Sequence, residues 1–160
     1  MHSRHELLKA RFNMVRQDLD PIVVRLKPEL LNWAPASGMR TLGGQIVEIV
    51  ATEIQLIERL HTNRELSDAE AQVMIGDTND LDILRAALVS VRGQTLEYLD
   101  SLTPQQLAEE IQFEGGWFGS LMLPTVPRAE VFLNIADHEW YHVGQLTSYL
   151  WALGEDPYEW

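Results

Sequence analysis

Apolar residues recur at steps of three and four along four long segments of this 160-residue chain. That spacing places them on one face of an α-helix, and it allows few folds other than helix packed on helix. The segments are 6–25, 41–60, 80–102 and 127–153. Because strand-like alternation is missing, the pattern predicts an all-α fold, a four-helix bundle that occupies residues 1–160 as a single domain. The connectors are longer than simple hairpins need, so we expect a crossover connection.

Capping residues predict where these helices begin and end. Thr41 precedes the second helix, and Ser67 with Glu70 forms the pattern of a capping box for a short helix in the next connection. Thr103 followed by proline predicts another short helical turn. Pro21 is expected to bend or restart the first helix. Residues 112–124, which are rich in glycine and aromatic side chains, are expected to form a structured loop.

The charge balance excludes several classes of partner. The chain has 24 acidic and 12 basic side chains and a formal net charge of -12, so its surface repels nucleic-acid phosphates and anionic lipid. It contains no cysteine, which removes disulfides, thiolate ligands and cysteine nucleophiles. Neither a signal core nor an apolar stretch long enough to span a membrane is evident. We expect a cytoplasmic protein with no nucleic-acid or membrane partner.

Two histidines one helical turn apart are the first candidates for chemistry. His138 and His142 share one face of the last helix with Gln145 and Tyr149. A spacing of four residues suits two ligands of one metal ion. It is equally compatible with two histidines that are hydrogen-bonded in a core or exposed to solvent.

The sequence HEWYH, residues 138–142, also matches the H-E-x-x-H pattern of zinc peptidases. In that reading Glu139 is the base that activates water. The context disagrees, because a peptidase needs strands to hold an extended peptide and a third ligand further along the chain. A metallopeptidase is therefore the least favoured interpretation.

The pattern H-x-x-x-H-x-G-Q, formed by His138, His142, Gly144 and Gln145, resembles the final helix of the DinB-like (DinB/YfiT) proteins. The resemblance continues into SYLWALGEDP and includes TLGGQIVEIVATE at the start of the second helix. With the order of the four helices, it covers nearly the whole chain.

This resemblance implies a four-helix bundle, often a homodimer, in which three histidines hold a divalent metal ion. One of those histidines belongs to the second helix, and here the matching position is Glu48. A carboxylate oxygen can replace an imidazole as a ligand. We therefore predict a site of Glu48, His138 and His142 for Zn, Ni, Fe or Mn. Two alternatives stay open: Glu48 is only a solvated residue, or Glu53 completes the site or supports it.

For active relatives the resemblance implies a metal-dependent hydrolase or thiol S-transferase. A thiol substrate would come from outside, because the chain has no thiol of its own. The alternative is a non-catalytic, stress-associated structural dimer with a degraded metal site. Among the neighbouring residues, we expect Asp137 and Glu139 to be exposed and Tyr141 to pack in the core.

Overall fold

A computed structural model describes residues 2–112 and 123–157. Helices dominate this part of the chain: α1 Arg4–Arg25, α2 Leu42–Thr62, α3 Asp68–Ile75, α4 Leu81–Ser101, α5 Pro104–Ala108 and α6 Arg128–Ala152, with a short 3-10 turn at Pro28–Leu30. Two strands, β1 Glu110–Gln112 and β2 Thr125–Pro127, precede α6. The predicted all-α fold is confirmed.

Side chains at the helix starts account for most of the boundaries. Thr41 caps α2 by accepting a hydrogen bond from the amide of Gly44 at 3.0 Å. Ser67 begins α3 with the predicted capping box, and Thr103 begins the predicted short helix α5 with a second capping box that involves Gln106. Helix α1 continues through Pro21, so the expected restart is wrong. The missing N–H of Pro21 removes one intrahelical hydrogen bond, and packing of α1 against its neighbours compensates for that loss.

The four long helices pack with a crossed connectivity. Helix α6 packs against α1 and α2, while α4 packs against the other sides of the same two helices. Helices α1 and α2 are consecutive in sequence but lie at opposite corners of the bundle, so the predicted crossover is confirmed. The centre is filled by large, fully buried side chains, among them Phe12, Leu19, Ile46, Leu84, Phe132 and Leu146.

A two-stranded antiparallel ladder leads into α6, with Ile111 opposite Val126. Its three-residue strands are too short for alternation to be visible in the sequence. The predicted loop at 112–124 falls largely on residues 113–122, which lie outside the described residues. Among the described helices, none is both long and apolar enough to cross a membrane.

Candidate metal centre

Helices α2 and α6 bring three potential metal ligands together. One ligand atom from each of Glu48, His138 and His142 lies within 4.8 Å of the other two. The histidines are almost completely buried, with exposed fractions of 3% and 2%. Glu48 lies at the edge of the cluster and its side chain is 39% exposed. These are the residues that the sequence predicts for the site.

The separation of the two imidazoles suits a shared metal ion. Nε2 of His138 lies 3.1 Å from Nε2 of His142. Two nitrogen ligands at about 2.0–2.1 Å from a tetrahedral zinc ion lie about 3.3 Å apart, so the rings need to move only slightly. The donor set of two imidazoles and one carboxylate is common in zinc enzymes and leaves coordination positions open. The residues present therefore fit a divalent ion.

Both histidines are held in the neutral form that metal binding requires. Burial, the neighbouring His142 and the charge of Arg40 lower the pKa of His138 from 6.5 to about 3. Burial and the charge of Arg40 lower the pKa of His142 to about 4, although the nearby side chain of Gln145 acts in the opposite direction. At neutral pH a metal ion thus competes with few protons at these rings.

A chain of hydrogen bonds orients the ring of His142. The backbone carbonyl of Arg40 can only accept, so the hydroxyl of Tyr149 donates to it, at 3.0 Å. The hydroxyl oxygen accepts from Nε2 of Gln45 at 3.3 Å, which directs the Gln45 carbonyl oxygen toward Nδ1 of His142. Nδ1 therefore carries the proton, and Nε2 presents its lone pair toward His138.

The third candidate ligand, Glu48, has a competing partner. Nη1 of Arg40 lies 3.1 Å from Oε2 of Glu48, and both side chains are partly exposed. Arg40 immediately precedes Thr41, the cap of α2, so the start of that helix brings a cation to the edge of the cluster. Glu48 must be shared with Arg40 or released from it when it binds a metal ion.

A family model for the DinB superfamily matches residues 11–146. The chain belongs to the DinB superfamily. The matched range contains Glu48, His138 and His142, and it confirms the family that the sequence motifs indicate. Among curated proteins, none matches the sequence at a significant level.

Beside the histidines, this DinB-superfamily bundle has a buried ionic cluster. Arg92 contacts Glu53 through two hydrogen bonds, of 2.8 and 3.0 Å, and also donates to Glu139. Arg16 donates to Glu139 at 2.8 and 3.3 Å. The hydroxyl of Thr95 donates to Glu53 at 2.6 Å. Two carboxylates thus balance two guanidinium groups, which makes their burial tolerable.

This cluster corrects two expectations. Glu139 was expected to be exposed, but only 1% of it is accessible. Glu53 contacts Arg92, Thr95 and Arg16, and among the described residues it is not part of the group formed by Glu48, His138 and His142, so the structure favours Glu48 over Glu53 as the third candidate ligand. Helical periodicity places Glu53 on an apolar face but could not identify the arginine partners of either carboxylate, because those arginines come from other helices. The one sequence signal was an arginine, Arg92, among the apolar residues of α4.

The same geometry argues against the peptidase reading. In H-E-x-x-H enzymes the glutamate faces the metal-bound water, whereas the carboxylate of Glu139 is bound by Arg16 and Arg92. Burial raises the pKa of Glu139, and the two guanidinium groups act against that shift. A carboxylate held in this way is not available as the base for a substrate at the histidines.

A pocket of about 510 Å³ opens beside His142. It is lined by Gly38, Met39, Arg40, Gln45, Tyr141, His142, Gln145 and Tyr149. Tyr141 is 60% exposed at this pocket, so the prediction that it packs in the core is wrong. Asp137 is exposed, as predicted. Sequence reasoning missed Arg40 as a pocket residue. Gln45 lies one turn before Glu48 on α2, so the two side chains share one face of that helix.

Proposed function

We propose that this protein binds a divalent metal ion through Glu48, His138 and His142 and uses it in hydrolysis or in the transfer of an external thiol. The observation that carries the proposal is the convergence of these three ligand atoms within 4.8 Å. Zn, Ni, Fe and Mn all accept imidazole and carboxylate ligands, and the site offers no thiolate to favour softer ions.

Held by Glu48, His138 and His142, a divalent ion would supply a Lewis acid able to lower the pKa of a water molecule or a thiol. The chain's own residues prepare the site for it. Gln45 fixes the tautomer of His142, and burial keeps both imidazoles neutral. The adjoining pocket gives a small molecule access to His142. A thiol nucleophile must be a second substrate, since the sequence contains no cysteine.

The test is the metal content of tag-free protein after dialysis against a mixture of Zn, Ni, Fe and Mn at trace concentration. We expect about one ion per chain in the wild type and a large loss in Glu48→Ala and in His142→Ala. Glu58→Ala is a matched control, because Glu58 lies on the same helix and its carboxylate accepts a hydrogen bond from nearby Thr62. An empty wild type, or a full Glu48→Ala variant, contradicts the proposed ligand set.

A second candidate is a non-catalytic, stress-associated dimer with a degraded site. The ion pair of Arg40 with Glu48, at 3.1 Å, favours it, because that pair occupies the third ligand without a metal ion. An empty wild type in the dialysis experiment is the result that this candidate predicts.

The homodimer is likewise a proposal. Two exposed aromatic side chains support a dimer: Trp140 is 44% exposed and Tyr141 is 60% exposed. Aromatic side chains are enriched at protein interfaces. Light scattering coupled to gel filtration tests it. A mass near twice 18.3 kDa is expected, and a monomer at high protein concentration contradicts it.

A further inference from the structure

Two contacts hold Arg40 at the rim of the pocket, one through its backbone and one through its side chain. Its backbone carbonyl accepts the hydrogen bond from Tyr149. Its aliphatic chain lies over Gly44, where a Cβ atom would come within 2.8 Å of Cγ of Arg40. Because Gly44 has no side chain, the chain of Arg40 crosses the first turn of α2 and directs its guanidinium group toward Glu48.

The guanidinium group is only partly used by Glu48. The nitrogen–oxygen distance in this ion pair is 3.1 Å, and the Arg40 side chain is 47% exposed. By contrast, Arg92 binds Glu53 through two nitrogen–oxygen contacts and is buried. Arg40 therefore has N–H donors directed away from Glu48, and a guanidinium group is suited to bind a carboxylate with two of them.

Charge also singles out this residue. Among the described residues that line the pocket, Arg40 is the one arginine or lysine, and none is an aspartate or a glutamate. The chain as a whole carries a net charge of -12 and repels anions elsewhere. When Glu48 turns toward a metal ion, the attraction that holds Arg40 weakens, and its guanidinium group can take another carboxylate.

We propose that Arg40 binds the carboxylate of a small anionic substrate whose reacting group reaches the metal ion. This inference rests on the proposed function and names the substrate class for the same site. A carboxylate is favoured over a phosphate, because its single negative charge matches one guanidinium group, whereas a phosphate dianion calls for further cations that the described pocket residues do not supply.

The test uses the full chain loaded with Co²⁺, whose absorption changes when a thiolate binds. The probes are two thiols, 3-mercaptopropionate and 3-mercaptopropan-1-ol. The first carries a carboxylate where the second carries a hydroxyl group. For each protein, the preference is the ratio of the dissociation constants of the alcohol probe and the carboxylate probe. We expect this ratio to be about tenfold larger in the wild type than in Arg40→Gln, which corresponds to about 1.4 kcal/mol. Any binding of the probe's carboxylate to the ion itself is common to both proteins and cancels in this comparison.

Two further variants separate position from charge. Gly44→Ala keeps the guanidinium group but displaces it, so we expect the preference to fall although the protein's charge is unchanged. Arg64→Gln is the matched control, because exposed Arg64 pairs with Glu70 at 2.5 Å, outside the pocket. It should keep the wild-type preference.

The outcomes are distinct. If Co²⁺ binds and Arg40→Gln retains the wild-type preference, the role of Arg40 is overturned while the metal site stands. If the wild type binds no Co²⁺, the proposed function fails and this inference fails with it. Loss of the preference in Arg40→Gln, with Co²⁺ still bound and Arg64→Gln unaffected, supports the inference.

Discussion

The carboxylate of Glu139 accepts a hydrogen bond from Nε of Arg16 at 2.8 Å, across the contact between α6 and α1. Glu139 follows His138 directly, yet the two side chains serve different clusters. His138 contacts His142, whereas Glu139 lies between Arg16 and Arg92. The arrangement ties α6 to its neighbours through buried charge, and it predicts that Glu139 acts on stability rather than chemistry.

Replacement of this carboxylate should therefore destabilise the fold. In Glu139→Gln the guanidinium groups of Arg16 and Arg92 lose part of their buried compensation, and we expect a loss of about 3–5 kcal/mol in the free energy of unfolding. Urea unfolding measures it. Metal content should stay at the wild-type level, because the three ligands are unchanged.

Asp137→Asn is the control, since exposed Asp137 lies 3.7 Å from Arg11, and its effect should be within about 0.5 kcal/mol. The peptidase interpretation predicts the reverse for Glu139→Gln: normal stability with loss of hydrolysis. Wild-type stability in that variant would therefore count against the structural role.

The sequence predicts the helices and the convergence of Glu48, His138 and His142, but not the ionic partners. Caps such as Thr41 and Thr103 act locally, so their residue types suffice to place helix starts. His138 and His142 lie on one helix, where spacing alone decides that they share a face. The burial of Glu139 depends on arginines from α1 and α4, and periodicity within one helix contains no information about them.

Gln45 should control how tightly the site binds metal. Gln45→Leu removes the acceptor for Nδ1 of His142, which frees the ring to change tautomer, and we expect metal affinity to fall about 10–100-fold. Calorimetric titration with Zn²⁺ measures the affinity, and ¹⁵N NMR of the imidazole reports the tautomer. Gln45→Glu keeps an acceptor at the same place and should bind metal at least as well as the wild type. Equal affinity in the leucine variant contradicts the positioning role.

Arg40 should oppose metal binding even though it favours an anionic substrate. Its guanidinium group competes for Glu48 and repels a divalent cation, so Arg40→Gln is expected to bind Co²⁺ about fivefold more tightly, corresponding to about 1 kcal/mol for a partly exposed pair. Competition with a chromophoric chelator measures this change. A lower affinity in the variant would mean that Arg40 supports the site instead of restraining it.

The metal-free protein should lose stability as the pH falls below about 6.5. The pKa values of His138 and His142 are lowered from 6.5 to about 3 and about 4 by burial and by neighbouring charge. Above pH 6.5 both rings are neutral in the folded and the unfolded chain, so they contribute no pH dependence. Below it, the unfolded chain takes up protons that the folded chain cannot accept, and each histidine lowers the free energy of unfolding by about 1.4 kcal/mol per pH unit.

Urea unfolding between pH 6.5 and pH 5 measures this slope, in a range where most carboxylates are still ionised. The double variant His138→Gln/His142→Gln should show a much shallower slope, whatever its absolute stability at neutral pH. Exposed His2, which lies 3.8 Å from Glu6 at the start of α1, provides the control, and His2→Gln should keep the wild-type slope. An equal slope in the wild type and the double variant would mean that the two rings take up protons in the folded protein as readily as in the unfolded chain.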